Sequence, residues 1–339
     1  MHDASVSDAT RFLAYRLFDV PERPQGRVVE MTIAELPPGE VLIRTAYAGV
    51  NYKDALAAHG MNKLIREYPR IGGIDMTGTV VSSSDRRFAA GDEVIVHGFG
   101  IGIDTDGGFS QYARMTADRV MKLPAGLSLE AAASIGVAGY TAALSIDLLE
   151  HNGLTPAAGE VIVSGATGNV GCVAIDMLSA AGYRVVALTG KPDAAEFLSS
   201  IGASEILPRE SVRAKRPLES ARWAGALDAV GGEVLDGIIR AMKPNGVVAA
   251  YGNAGSMDLP TSVLPFILRG VRLIGVNANS PMPVRERVWP RAAAEFAPRH
   301  FDRMVRRIPL SELGDALVRA LAGGSFGRTI VDVWGTNPS

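Results

Sequence analysis

Residues 161–171 read VIVSGATGNVG, an apolar strand running straight into Gly165, Gly168 and Gly171, with helix-forming residues behind them. A strand, a glycine turn and a helix in that order let the backbone approach a diphosphate. Its charge then meets the open N–H groups at the helix start. Thr167, Asn169 and Val170 complete the loop, and Ala166 stands where the usual fingerprint has its first glycine. A glycine triplet alone says little, and its weight comes from what surrounds it. Outside a strand–helix alternation it is equally a tight turn that binds nothing.

The surroundings are regular. Strand patterns recur at 184–190 (RVVALTG), near Ile206, at 225–231 (GALDAVG), 247–252 (VVAAYG) and 271–276 (VRLIGV). Helices are expected over 170–181 and 193–201, closed by Gly182 and Gly202, then over 234–242 and 265–268, with a turn at KPNG, 243–246. Apolar strands alternating with helices predict an α/β fold with a doubly wound parallel sheet of Rossmann type. The first 130 residues differ. Strands around 12–18, 41–49, 77–84, 91–98 and 107–115, separated by glycine-rich turns, predict a β-rich domain, and Ser128 is placed to cap the helix that follows. At 339 residues the chain has room for about two domains.

Cofactor preference is expected at the end of the second strand of the alternation. There the sequence reads Thr189, Gly190, Lys191, with no carboxylate before Asp193. A hydroxyl and an ammonium suit a 2′-phosphate, so NADPH is the expected cofactor; otherwise Lys191 is a solvated loop lysine. Asp193 reads as a first-turn helix charge. Arg209 and Arg328 are candidates for cofactor phosphates or else ordinary surface arginines, and Asn253 joins the cofactor set.

Composition narrows the partners. Thirty-four basic against 36 acidic residues give a net charge of −2, with no basic run to neutralise nucleic-acid phosphates. The longest uncharged apolar stretch, 131–146, is shorter than a membrane span and is interrupted by glycines, so it is expected to be a buried helix. One cysteine, Cys172, excludes internal disulfides and thiolate-rich metal sites and fits helix packing better than nucleophilic chemistry. His2, His59, His97, His151 and His300 are scattered and read as packing or solvent residues. No secretory signal is visible, and a soluble cytoplasmic protein that binds neither nucleic acid nor membrane is the expectation.

The motifs NYKDAL (51–56), PRIGGIDMTGTV (69–80), GFGIGIDTDGGFSQYAR (98–114), VSGATGNVG (163–171), TGK (189–191), ILPR (206–209), WAGALDAVGG (223–232), LPFILRGVRLIGV (264–276) and GRT (327–329) resemble the medium-chain dehydrogenase/reductase superfamily. Within it, the likeness is to the zinc-independent acrylyl-CoA reductase / quinone oxidoreductase family and spans residues 11–334. The resemblance implies a Rossmann domain, 136–278, inserted in a chaperonin-10 (GroES)-like catalytic domain, 1–135, to which the chain returns over 279–339. It also implies a homodimer. Thr167, Asn169 and Lys191 are minor departures from the family pattern. Zinc-dependent members carry a Cys near Asn51 or Tyr52 and a Gly-His-Glu near Gly73, Ile74 and Asp75; this chain has neither, so no metal is expected.

Without a metal, hydride transfer suits an electrophile that stabilises its own charge, namely an α,β-unsaturated thioester, an enone or a quinone. The resemblance places Tyr52 near the nicotinamide, either as proton donor or simply packed there. Asn51 and Asp54 join it as catalytic candidates or as loop-fixing or ribose contacts. Lys63, Arg66 and Arg70, with Lys53, form a basic cluster that either grips CoA phosphates or is a solvated face. The expected small-molecule substrate is therefore acrylyl-CoA, with a quinone or enone as alternative and a non-catalytic NADPH-binding protein more distant.

Overall fold

The computed structural model describes residues 6–323 and 326–335, so His2 lies outside them. The chain forms two compact units, Met1–Val137 with Val305–Ser339, and Ala138–Met304.

The first unit opens with β1 (Arg11–Phe18), β2 (Gln25–Thr32) and β3 (Val41–Val50), then helix α1 (Tyr52–Ala58). Strands β4 (Arg70–Ile71), β5 (Asp75–Ser83), β6 (Glu93–His97), β7 (Tyr112–Met115) and β8 (Val120–Lys122) follow. The sequence reading missed β2, which pairs antiparallel with β1 over its whole length. Only Met31 of its residues is buried, so the alternation that marks a half-buried strand is absent. Helix α2 (Leu129–His151) then carries the chain across to the second unit, with a break at Gly136. It starts as expected, the Ala131 N–H donating to Ser128 Oγ at 3.1 Å. It is the one helix among the described residues long and apolar enough to cross a membrane, and 89% of its most apolar window is buried in protein.

The second unit is the alternation read from the sequence. Strands β9 (Glu160–Ser164), β10 (Val185–Thr189), β11 (Glu205–Pro208), β12 (Trp223–Asp228), β13 (Met242–Ala250) and β14 (Arg272–Gly275) form one sheet, in the order β11-β10-β9-β12-β13-β14. Every pairing in it is parallel. Helices α3 (Asn169–Ala180), α4 (Ala195–Ser200), α5 (Gly232–Arg240) and α6 (Leu264–Arg269) connect these strands. Central β9 is covered on both faces, with Val161, Ile162 and Val163 fully buried. The expected KPNG turn lies inside β13 as a bulge: the register jumps from Trp223–Met242 to Gly225–Val247, with Asn245 at φ 60°.

The return to the first unit comes at Val305, not at 279 as the family resemblance suggested. Helix α7 (Met282–Ala293) stays with the second unit because its side chains are used there. Trp289 stacks on Tyr140 at 6.0 Å, and Arg291 pairs with Asp147 and Glu150. Beyond it, the His300 ring and N–H both reach buried Asp176 of α3. Only after the short α8 (Phe301–Met304) does the chain add β15 (Val305–Pro309), α9 (Leu313–Ala322) and β16 (Arg328–Asp332) to the first unit. Its main sheet runs β15-β16-β3-β5-β6-β8, with β7 also on β3, and β2-β1-β4 form a smaller one. Ile308, Leu313, Leu317 and Val331 from the chain's end pack with Val41, Ile43, Val94 and Val96 in one core.

Candidate active site

In the second unit, β9 ends at Ser164 and the backbone turns at Gly165, whose φ of 60° favours glycine. The turn is closed by the Gly168 N–H donating to Gly165 O at 2.9 Å, and Gly168 caps α3. A Cβ at Gly171 would collide with the Gly165 carbonyl, so the third glycine lets helix and loop touch. Ala166 and Thr167 are buried beneath the loop, while Gly168, Asn169 and Val170 face outward at the first turn of α3. That turn presents N–H groups and the positive end of the helix dipole. Cys172 is buried, its thiol 3.5 Å from Asn169 O, in a packing position.

A cationic corner lies at the end of β10. Thr189 Oγ1 accepts from the Lys191 N–H at 3.1 Å. Burial pushes the Lys191 ammonium down, opposed by Asp193. Arg209, at the end of β11, lies against Gly190, where a Cβ would stand 3.1 Å from its guanidinium. Arg209 is exposed and makes no ion pair among the described residues. Asn253 is exposed in the loop after β13. A glycine cradle beside two cations, with no carboxylate on 189–191, fits a dinucleotide whose ribose carries a phosphate. Below the cradle, Asp228 accepts from Ser164 Oγ at 2.5 Å and from the Gly231 N–H at 2.8 Å, and burial raises its carboxyl.

In the first unit, Tyr52 begins α1 and is 53% exposed. Asn51 before it and Asp54 two positions after it are buried, while Lys53 is exposed. Asp54 accepts from the Asn51 N–H at 2.9 Å, Asn51 Nδ2 at 3.1 Å and the Ile74 N–H at 2.9 Å. Burial, reinforced by the nearby Asp75 charge, pushes its carboxyl up to about 7. Asn51 Nδ2 also reaches Gly49 O and Asp75 Oδ1, both at 3.3 Å, and its Oδ1 accepts from Arg328. The polar atoms of Asn51 and Asp54 thus hold the loop from which Tyr52 starts α1.

Arg328 requires correction. It is 1% exposed, and its guanidinium binds Asp75 Oδ2 at 2.9 Å and Asn51 Oδ1 at 3.0 Å, so it is not free to meet a cofactor phosphate. Of the basic cluster, Lys63 and Arg66 are exposed. Arg70 is not: it pairs with Asp106 at 3.3 Å and Glu67 at 3.8 Å, and Asp106 also holds the Ile71 N–H. Arg70 thereby ties its own segment to Asp106, whereas Lys63 and Arg66 stay open. Sequence reasoning gave Asp75 no role beyond occupying a position where relatives keep a metal ligand. The available signal was an acid inside the apolar run GGIDMTG.

Two families match the chain, alcohol dehydrogenase GroES-like domain over residues 37–125 and zinc-binding dehydrogenase over 169–296. It is 45% identical over 308 residues to "Putative quinone oxidoreductase YhfP" of Bacillus subtilis, covering 90% of this chain and 93% of that one. The chain belongs to the medium-chain dehydrogenase/reductase superfamily, in its zinc-independent acrylyl-CoA reductase and quinone oxidoreductase family. Acrylyl-CoA reductase AcuI of Ruegeria pomeroyi is 43% identical over 92% of this chain and 95% of its own. The yhdH oxidoreductase of Salmonella enterica, solved with NADP, superimposes with TM-score 0.92 at 40% identity, covering 95% of this chain and 99% of its own. The YhfP structure has NAD bound and gives TM-score 0.94 at 44% identity over 96% of this chain and 100% of its own. A GroES-like domain combined with a Rossmann domain is the architecture of this family. Zinc, implied by the second family's description, does not fit the residues present. Among the described residues no three His, Cys, Asp or Glu side chains group to hold a metal, and Asp54 and Asp75 already accept from N–H donors.

Proposed function

We propose that this enzyme reduces the carbon–carbon double bond of an α,β-unsaturated acyl-CoA, converting acrylyl-CoA to propionyl-CoA with NADPH. The observation that carries the reading is the exposed Tyr52 on a loop clamped by Asn51 and Asp54, in a chain similar to AcuI over nearly its full length. The backbone of Gly165–Gly171 holds the diphosphate, and Thr189, Lys191 and Arg209 hold the 2′-phosphate. When bound, NADPH supplies a hydride to the substrate's β-carbon. Tyr52 then gives its proton to the α-carbon of the resulting enolate, and Lys63 and Arg66 grip phosphates of CoA, far from the reacting bond. A quinone is the second reading, supported by the name of the Bacillus relative.

The test is steady-state turnover with NADPH. The proposal expects kcat/KM for acrylyl-CoA to exceed that for simple quinones; the reverse order makes quinone reduction the function.

The reading extends to a cytoplasmic homodimer. Strand β14 lies at the edge of its sheet, and Val263, Ile267 and Leu268, on and next to α6, are about two-thirds exposed. A second copy paired along β14 would cover both the open edge and this apolar surface. The lone cysteine is in keeping with a reducing compartment. A monomer in sedimentation at micromolar concentration would remove the dimer from the proposal.

A further inference from the structure

Helix α2 is broken at Gly136, where φ is 50° and ψ −159°. An unbroken helix would pair the Ala133 carbonyl with the Val137 N–H. Here the Val137 N–H donates to Asp75 Oδ2 at 2.7 Å, and the Ala133 carbonyl accepts from Arg328 Nη2 at 3.1 Å and Nε at 3.3 Å. Asp75 and Arg328 are themselves paired at 2.9 Å, and each is 1% exposed. The ion pair thus takes up the donor and the acceptor that the break separates. A Cβ at Gly136 would collide with the Arg328 guanidinium.

The same two side chains reach the loop that carries Tyr52. Asp75 Oδ1 accepts from the Gly49 N–H at 2.8 Å and from Asn51 Nδ2 at 3.3 Å, while Arg328 Nη1 donates to Asn51 Oδ1 at 3.0 Å. Gly49 has no room for a side chain either, since a Cβ would run into Arg328 and Asp75. A buried ion pair is retained only where its remaining donors and acceptors are filled, and here they are filled by the Tyr52 loop on one side and the α2 break on the other.

We infer that Arg328 is a positioning residue for Tyr52. Together with Asp75 it fixes both the loop Gly49–Asn51, which sets the start of α1, and the break in α2, just before the chain leaves the first unit. The catalytic half of this inference rests on the proton-donor reading of Tyr52; the structural half does not.

The test uses Arg328→Lys and the double variant Asp75→Asn/Arg328→Gln. The double variant removes both charges, keeps hydrogen-bonding groups and leaves no buried charge unpaired. Hydrogen exchange on the intact protein reads the Gly49, Asn51 and Val137 amides. We expect exchange at least about tenfold faster at all three in either variant, with Val161–Val163 of β9 unchanged. Unaltered exchange at the three amides overturns the inference. Kinetics add a double-mutant cycle. Arg328→Lys should lower kcat about tenfold or more when Tyr52 is present and less than about twofold in a Tyr52→Phe background. Equal losses in both backgrounds overturn the link to Tyr52. If Tyr52→Phe alone is silent, the proton-donor reading falls, and exchange at Gly49 and Asn51 still decides whether Arg328 fixes the loop. Should Arg328→Lys fail to fold, the double variant supplies both readouts.

Discussion

The glycine loop at 165–171 and the polar network around Arg328 are built in opposite ways. The loop is local and mostly backbone: seven consecutive residues, three of them glycines with no room for a Cβ at Gly171, lead from the end of a strand into the first turn of a helix. The network is made of the side chains of Asn51, Asp75 and Arg328, gathered from three distant stretches onto the backbone carbonyl of Ala133, and it is sealed from solvent. Backbone sites tolerate changes in neighbouring side chains but not an added Cβ. A buried charged network fails when any one partner is lost, because the remaining charge is left uncompensated. The second unit is thus proposed to hold a cofactor by shape, and the first to hold one phenol in place by charge.

The largest effect expected from that division is on Tyr52. Tyr52→Phe should lower kcat for acrylyl-CoA by roughly 10²–10⁴-fold, while NADPH affinity stays nearly constant. Quinone reduction needs no proton on carbon and should suffer less. Parallel kcat and fluorescence titrations check this, and a joint loss of turnover and NADPH binding would break the separation.

The next effect is on pH dependence, and it belongs to the network alone. Asp54 titrates at about 7 in the folded chain and near its ordinary value of about 4 when unfolded. Between those values the folded state keeps a proton the unfolded state has lost. Stability therefore falls as pH rises through that window, by roughly 3 kcal/mol between pH 5 and 8. Asp54→Asn should remove this slope. Urea midpoints at the two pH values, compared between wild type and variant, measure it; identical slopes would mean that burial of Asp54 does not govern its charge.

A smaller effect sharpens the other side of the comparison. Lys191→Glu replaces a phosphate-seeking ammonium with a carboxylate suited to a ribose hydroxyl. We expect NADPH to bind wild type about ten- to a hundredfold tighter than NADH, and the variant to narrow or reverse that preference. Equal wild-type affinities would show that the Thr189–Lys191–Arg209 corner does not select the phosphate.

The two constructions also explain what was legible in the sequence. The second unit could be read almost strand by strand, because each βα step is local and glycine marks several helix ends, as at Gly182, Gly202 and Gly270. The loop residues and the Thr189–Lys191 corner follow from adjacency to a strand end. The network could not be read that way. Nothing near position 328 indicates that its guanidinium is buried on Asp75, 253 residues away, so Arg328 was grouped with Arg209 as a phosphate ligand. The ion pair of Arg70 was hidden for the same reason, its partner Asp106 lying 36 residues on. Asn51 and Asp54 stand out because they adjoin Tyr52 in one short motif, but the partners that make them loop-fixing residues, Ile74, Asp75 and Arg328, lie far along the chain. The return at Val305 was missed because the side chains of α7 that hold it in the second unit meet α2 residues more than 140 positions earlier.

One titration tests the division between the units most directly. NADPH is titrated into Arg328→Lys and Lys191→Glu side by side with wild type, following nicotinamide fluorescence. Arg328→Lys is expected to keep a wild-type Kd within about twofold, while Lys191→Glu weakens binding by about tenfold or more. A loss of NADPH affinity in Arg328→Lys as large as that in Lys191→Glu would contradict that division and return Arg328 to the cofactor's phosphates.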